Sequence, residues 1–294
     1  MNINFSKLHA CGNDYIFINC MQGVDFNPVS LAQEMSPRHT SVGADGIILA
    51  CHSDIADVKM RIFNSDGSEA MMCGNGIRCL AQFVADEGII PRGISEISIE
   101  TASGLRKVNY VGDGTNSVAV EMSMHTFEPS KIPMKCYEPI VGKPLTIDDR
   151  KFKAYALSMG NPHLVLISSS VEDVDLYRIN RVIQESDNFT EGVNIEVISI
   201  IDSTNIRMRV FERGSGETFS CGTGACASAI AAFEEGMLIA DTFVNVHTVG
   251  GTLNCFVTKN GPAWLSGEVH KVYKGIYEYK NYDNQTTKHR KLIK

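Results

Sequence analysis

The feature that most constrains this chain is that it repeats itself. Val58-Lys-Met-Arg-Ile-Phe63 is answered by Ile206-Arg-Met-Arg-Val-Phe211, 148 residues later. Cys73-Gly-Asn-Gly76 is answered by Cys221-Gly-Thr-Gly224, and Glu87-Gly88 by Glu235-Gly236, at the same spacing. Between 58–90 and 206–238, 10 of 33 positions are identical, where composition alone gives roughly two. The register holds upstream, with Gly12-Asn13 against Gly160-Asn161. Downstream it slips by one, with Ile97-Ser-Ile-Glu-Thr101 against Val244-Asn-Val-His-Thr248. Four segments in nearly one register mark a duplicated unit. At 294 residues the chain is long for one average domain and right for two.

Each copy reads as strands, one helix, then more strands. Alternation of apolar and basic residues in Val58–Phe63 and Ile206–Phe211 is the pattern of a half-buried strand. The helices open after Cys73 and Cys221 and stop near Gly88 and Gly236, the usual C-terminal glycine signal. The second helix, from Gly224 to Phe233, has no charged side chain and almost no large one. A helix that is apolar all round is buried all round. The expected class is therefore α/β (α+β), with two pseudo-symmetric domains, each a curved mixed sheet or barrel wrapped around a central helix. The halves are read as 1–122 and 123–272. Pro129, Pro133, Pro139 and Pro144 fit a surface connection between them. The segment 281–294 reads as a basic, solvated tail.

Composition narrows the functional classes. A net charge of -7 argues against a binder of nucleic-acid backbone. No stretch approaches the roughly 18 consecutive apolar residues of a membrane span, and Met1 to Asp14 lacks the basic and apolar regions of a secretory leader. Nine cysteines, with no Cys-x-x-Cys pair, fit a reducing cytosol better than a disulfide scaffold or a zinc ribbon. The expected setting is cytoplasmic, with no nucleic acid and no membrane as partner.

Two of the nine cysteines carry chemistry. Cys73 and Cys221 occupy equivalent positions, each just before a Gly-x-Gly turn that opens a helix. Such a turn presents unpaired N–H groups and the positive end of the helix dipole. A thiolate is favoured there, which predicts a lowered thiol pKa, and a carboxylate can dock on the same N–H groups. If the copies pack face to face about a pseudo-twofold axis, the two thiols flank one carbon. One thiolate then removes a proton and the other thiol returns one on the opposite face, which racemises or epimerises that centre. The helix N-termini stabilise the charge that develops beside the carboxylate. No metal or other cofactor is required. Cys20, Cys51, Cys79, Cys136, Cys226 and Cys255 read as small buried hydrophobes. A zinc site lacks the short paired spacing. A redox-active dithiol or a binding protein remains as the alternative from a different class.

At these residues the chain resembles the diaminopimelate epimerase family, cofactor-independent amino-acid epimerases. The motifs are His9-Ala-Cys-Gly-Asn-Asp14, Gly43-Ala-Asp-Gly46, Asn64-Ser-Asp-Gly-Ser-Glu69, Cys73-Gly-Asn-Gly-Ile-Arg-Cys79, Ser158-Met-Gly-Asn-Pro-His163, Glu212-Arg-Gly-Ser-Gly-Glu217 and Cys221-Gly-Thr-Gly-Ala-Cys226. The resemblance implies two similar α/β domains with the site between them, and a last strand at about 273–280 that returns to the first domain. It implies that Cys73 and Cys221 are the acid/base pair and that His163 and Glu212 orient or polarise the thiols. Gly74, Asn75, Gly222 and Thr223 would cradle the carboxylate at the reacting centre. Asn13, Asn64, Asn161, Asn194, Glu212 and Arg213 would hold the rest of the substrate. Those types suit diaminopimelate, whose far end is a second amino-acid centre: arginine binds a carboxylate bidentately, and asparagines both donate and accept. The implied reaction converts LL- to meso-diaminopimelate in lysine and peptidoglycan-precursor synthesis. A racemase of another free amino acid, such as histidine, is the alternative within the same chemistry. The family often forms homodimers. Cys11 departs from the family pattern, and is expected to pack rather than react.

Overall fold

The computed structural model describes residues 1–91, 93–111, 117–239, 241–258 and 261–280. The expected tail at 281–294 lies outside them. In chain order the elements are β1 (Asn2–Ala10), β2 (Asn13–Cys20), α1 (Pro28–Met35), β3 (Gly46–Cys51), β4 (Val58–Asn64), β5 (Glu69–Ala70), α2 (Gly74–Asp86), β6 (Glu96–Thr101), β7 (Gly104–Val111) and β8 (Ser117–Glu121). They continue with β9 (Lys143–Ile147), β10 (Arg150–Ser158), β11 (Pro162–Ile167), α3 (Leu176–Glu185), β12 (Asn194–Asp202), β13 (Asn205–Glu212) and β14 (Gly216–Thr218). The last are α4 (Gly222–Glu234), β15 (Phe243–Thr248), β16 (Gly251–Phe256), β17 (Trp264–Glu268) and β18 (His270–Glu278). The fold is α/β and sheet-dominated, as the sequence pattern predicts.

Contacts divide the chain into two compact units. The first comprises Met1–His9, Asp14–Leu105 and the chain from His270. The second comprises Ala10–Asn13 and Arg106–Val269. The sequence reading put the boundary after 122; the structure puts it after Leu105. The reason is that β8 pairs antiparallel with β17, Val118 opposite Gly267, and so belongs to the second unit. The last strand, β18, pairs antiparallel with β1 from Asn2↔Glu278 to His9↔His270.

The duplication is visible in the strand registers. In the first unit β2 and β3 are parallel (Tyr15↔Gly46), β3 and β4 antiparallel (Ile47↔Phe63), and β4 and β6 parallel (Val58↔Ile99). In the second, β11 and β12 are parallel (His163↔Asn194), β12 and β13 antiparallel (Ile195↔Phe211), and β13 and β15 parallel (Ile206↔Val246). The pairs repeat at 148, and the last slips by one as the sequence does.

Alternation along each strand then sends side chains to two opposite helices. In the first unit Ile16, Ile18, Ile47, Leu49 and Phe63 pack with Leu31, Ala32 and Met35 of α1, while Phe17 turns the other way and meets Phe83 of α2. In the second, Leu164, Leu166, Ile195 and Val197 pack with Leu176, Ile179 and Ile183 of α3. The opposite parity, His163, Asn194, Glu196, Val210 and Glu212, therefore faces α4. Ser228 of α4 confirms this by donating to Met208 Sδ at 3.3 Å. Helix α4 is buried along its length and packs on strands β10–β13 and β15–β17. Both outer helices start on side-chain caps: Asn27 Oδ1 accepts from Val29 and Ser30 N–H, and Asp175 Oδ1 from Arg178 N–H. The proline-rich connection is more than a surface link. Ile132, Met134 and Ile140 pack into the α3 cluster.

Candidate active site

Cys73 and Cys221 are the N-caps of α2 and α4, with φ of -141° and -128° and ψ of 120° at both. That extended backbone turns each side chain back over the first helical turn. Cys73 Sγ accepts from Gly76 N–H at 3.3 Å, and Cys221 Sγ from Gly224 N–H at 3.4 Å. A serine or asparagine usually fills this position; here sulfur does so twice. The remaining first-turn N–H groups point along the helix axis, where an anion is favoured. The turns are glycines because nothing larger fits. A Cβ at Gly76 would lie 2.7 Å from Ile48 Cδ1, and one at Gly224 would lie 2.4 Å from Glu196 Oε1.

The Tyr15 hydroxyl donates to Cys73 Sγ at 3.8 Å. Arg78, wholly buried, donates to the Gly74 carbonyl at 2.9 Å and to Asn75 Oδ1 at 2.8 Å. The Asn75 side-chain oxygen is therefore engaged within α2. Asn64 closes β4 and donates from Nδ2 to Ser68 Oγ at 3.0 Å.

The second unit surrounds its sulfur with charge. Cys221 Sγ lies 3.4 Å from Thr223 Oγ1, which accepts from Asn161 Nδ2 at 3.3 Å. Asn161 Oδ1 lies 3.1 Å from His163 Nε2, and His163 Nδ1 lies 2.8 Å from Glu196 Oε1. Three side chains thus link the sulfur to the Glu196 carboxylate. His163 and Glu196 are both fully buried. Glu212 accepts from the Thr218 hydroxyl at 2.6 Å, and its charge acts on the Cys221 thiol. Burial holds the Glu212 carboxyl above the usual carboxylate range, and the nearby Glu196 charge adds to this.

The helix-start argument predicts a lowered thiol pKa, and for Cys221 the structure gives the opposite. Burial pushes the Cys221 thiol well up, and the Glu212 and Glu196 charges push in the same direction. The bonds from Thr223 and Gly224 favour the thiolate but do not prevail. Two carboxylates beside a buried sulfur outweigh a partial helix charge. The resting form of Cys221 is the thiol.

Asn13 sits half-buried in the Ala10–Asn13 turn, which the chain lends to the second unit. Gly12 in that turn has φ of +79° and packs on Phe219. Cys11 is buried, with its carbonyl 3.4 Å from Ser220 Oγ. Asn194 Oδ1 accepts the Arg213 backbone N–H at 2.8 Å. The exposed Arg213 donates from Nη1 to the Glu191 carbonyl at 2.8 Å. Among the other cysteines, Cys20, Cys51, Cys79, Cys226 and Cys255 are buried, whereas Cys136 is half-exposed. Sequence reasoning missed Tyr15, Arg78 and Glu196. Two signals were available: Tyr15 stands 148 residues before His163, and Glu196 is the one charge in the apolar run Val193–Ile198.

The family model described as Diaminopimelate epimerase matches residues 5–127 and 155–275. The chain belongs to the diaminopimelate epimerase family. A diaminopimelate epimerase from Acetivibrio thermocellus is 38% identical over 277 residues, 93% of this chain and 98% of that one. One from Caldanaerobacter subterraneus is 39% identical over 279 residues, 94% of this chain and 100% of that one. Among solved structures, a phenazine biosynthesis protein of the PhzF family from Bacillus anthracis shares the fold. Its TM-score is 0.71 at 17% identity, over 95% of this chain and 100% of that one. Among the described residues, no helix is long and apolar enough to cross a membrane, and no three His, Cys, Asp or Glu side chains converge as a metal cage.

Proposed function

We propose that this chain interconverts LL- and meso-diaminopimelate by two-base proton transfer at one Cα. The observation that carries the reading is the matched pair of N-cap cysteines, one per unit, on helices whose first turns are built to receive a carboxylate. One sulfur, as thiolate, takes the Cα proton. The C–H electron pair stays on the substrate and spreads into its α-carboxylate, where N–H groups of the two cysteine helices stabilise it. The other sulfur, as thiol, gives its proton to the opposite face. In the direction that uses Cys221 as acid, its resting thiol is ready. In the reverse direction Glu212, whose charge acts on that thiol, takes its proton as the thiolate forms.

The substrate's distal end is an amino-acid group, for which the exposed Arg213 guanidinium supplies a bidentate carboxylate partner. Asn13, Asn64, Asn161 and Asn194 hold the remaining polar groups. The reaction belongs to lysine and peptidoglycan-precursor synthesis in the cytoplasm.

The test is incubation in deuterium oxide with diaminopimelate and, separately, a panel of single amino acids that includes histidine. Cα deuteration of diaminopimelate is expected to outrun the rest by orders of magnitude. Faster exchange of histidine or another amino acid overturns the substrate assignment. No exchange with any of them returns the chain to a redox or binding role.

A further inference from the structure

The reaction described above gives no part to Glu196. Glu196 is fully buried on β12, faces α4, and touches His163 rather than either sulfur. The duplication gives an internal control for it. The equivalent position in the first unit, 148 residues earlier, is Ile48. Ile48 stands against the first turn of α2 as Glu196 stands against the first turn of α4. Cβ atoms built on the equivalent glycines, Gly76 and Gly224, meet Ile48 Cδ1 and Glu196 Oε1 respectively. The fold therefore accepts an aliphatic side chain at this place, and packing does not call for a carboxylate. A buried charge is costly when only partly paired, and Glu196 Oε2 has no hydrogen-bond partner among the described residues. The carboxylate is retained at a cost to stability.

The other members of the chain of bonds are duplicated in the same way. His163 stands at the place of Tyr15, Glu212 at that of Asn64, and Asn161 at that of Asn13. At these places the second unit has His163, Glu196 and Glu212 where the first has Tyr15, Ile48 and Asn64. We propose that Glu196 is a positioning residue for Cys221: it anchors His163 through Nδ1, fixes the Asn161–Thr223 hydrogen bonds that end at the sulfur, and places a negative charge against the first turn of α4. The ionisable groups that face Cys221 from the strands around α4 are His163 on β11, Glu196 on β12 and Glu212 on β13. Of these, Glu212 and Glu196 both oppose the thiolate. Glu196 also acts on Glu212, whose proton affinity it raises. Glu196 thereby sets the resting protonation of Cys221 and Glu212 without touching substrate.

That pair's role in turnover rests on the reading of the preceding subsection, so the test has an arm that needs no substrate. Two full-length variants are made. Glu196→Gln keeps the shape and a hydrogen-bond acceptor for His163 but removes the charge. Glu196→Ile installs the residue that the first unit uses, and so guards against a variant that fails to fold. The pH dependence of Cys221 alkylation by iodoacetamide is read by peptide mass spectrometry. Loss of the charge is expected to lower the midpoint by at least half a pH unit, about a threefold gain in alkylation rate at a fixed pH below it. In the turnover arm, kcat for diaminopimelate is expected to fall at least tenfold in both variants, with KM within threefold of wild type. A midpoint unmoved in both variants overturns the proposal, even if wild type turns over no diaminopimelate. So does a Glu196→Ile variant with kcat within twofold of wild type, which would make the carboxylate merely structural.

Discussion

Thr223→Val separates the hydrogen bonds at Cys221 from the shape of the site. Valine keeps the branched outline and removes Oγ1 alone. That atom lies 3.4 Å from Cys221 Sγ and accepts from Asn161 Nδ2 at 3.3 Å. The bond to sulfur favours the thiolate against burial and two carboxylates. A hydrogen bond of this kind contributes about 1 kcal/mol. Its loss raises the Cys221 pKa by roughly 0.7 unit, which leaves the thiolate about fivefold scarcer at any pH below it. Alkylation of Cys221 by iodoacetamide should slow by about fivefold at fixed pH. Epimerisation in the direction that uses Cys221 as base should slow at least as much, because Asn161 is also released. The Asn161 amide, left short of an acceptor, costs about 1 kcal/mol, the low end for a half-buried group, and a fall in Tm of a few degrees follows. Unchanged or faster alkylation would refute the claim that this hydroxyl supports the thiolate.

Two further perturbations bear on the half-sites separately. Cys221 has a pKa above its unfolded value, so its contribution to stability is fully present below the ordinary thiol pKa of about 8.5 and is lost as pH rises above it. Measured by urea unfolding, wild type should lose stability relative to Cys221→Ala as pH rises above about 8.5, by up to ~1.4 kcal/mol per pH unit; parallel curves would contradict the raised pKa. In the first unit, Arg78→Met should strip the Gly74 carbonyl and Asn75 Oδ1 of their donor. A loss of about 2–4 kcal/mol is expected from two buried hydrogen bonds to a guanidinium, with kcat down more than tenfold. A variant within about 1 kcal/mol of wild type would remove Arg78 from the support of the α2 turn.

Much of this was legible in the sequence because the duplication is legible. The 148-residue offset predicts which strand pairs recur, and Tyr15↔Gly46 and His163↔Asn194 recur at that spacing. The small-residue run after Cys221 announces a helix enclosed on all sides, and α4 is one. Long-range pairing was not legible. Nothing local in Ser117–Glu121 says that it joins Trp264–Glu268, so the unit boundary was set too late. Nor does Ala10–Asn13 show that the chain lends this turn to the second unit. The electrostatics of Cys221 were missed for the same reason. The helix that favours its thiolate is adjacent in sequence, whereas the carboxylates that oppose it, Glu212 and Glu196, come from strands placed by tertiary pairing. Glu196 was missed too, because a buried charge shows its purpose only once His163 is beside it.

The most direct test of the two-cysteine account is the fate of the Cα hydrogen in deuterium oxide. LL-diaminopimelate is incubated with enzyme, and both isomers are recovered before equilibrium. Two bases predict that the meso product carries one deuterium at the inverted Cα from the first turnover, while recovered LL substrate stays protiated at early times. Equal early labelling of both isomers would mean that one group removes and returns the proton on both faces, and would contradict the assignment of Cys73 and Cys221 as a matched acid and base.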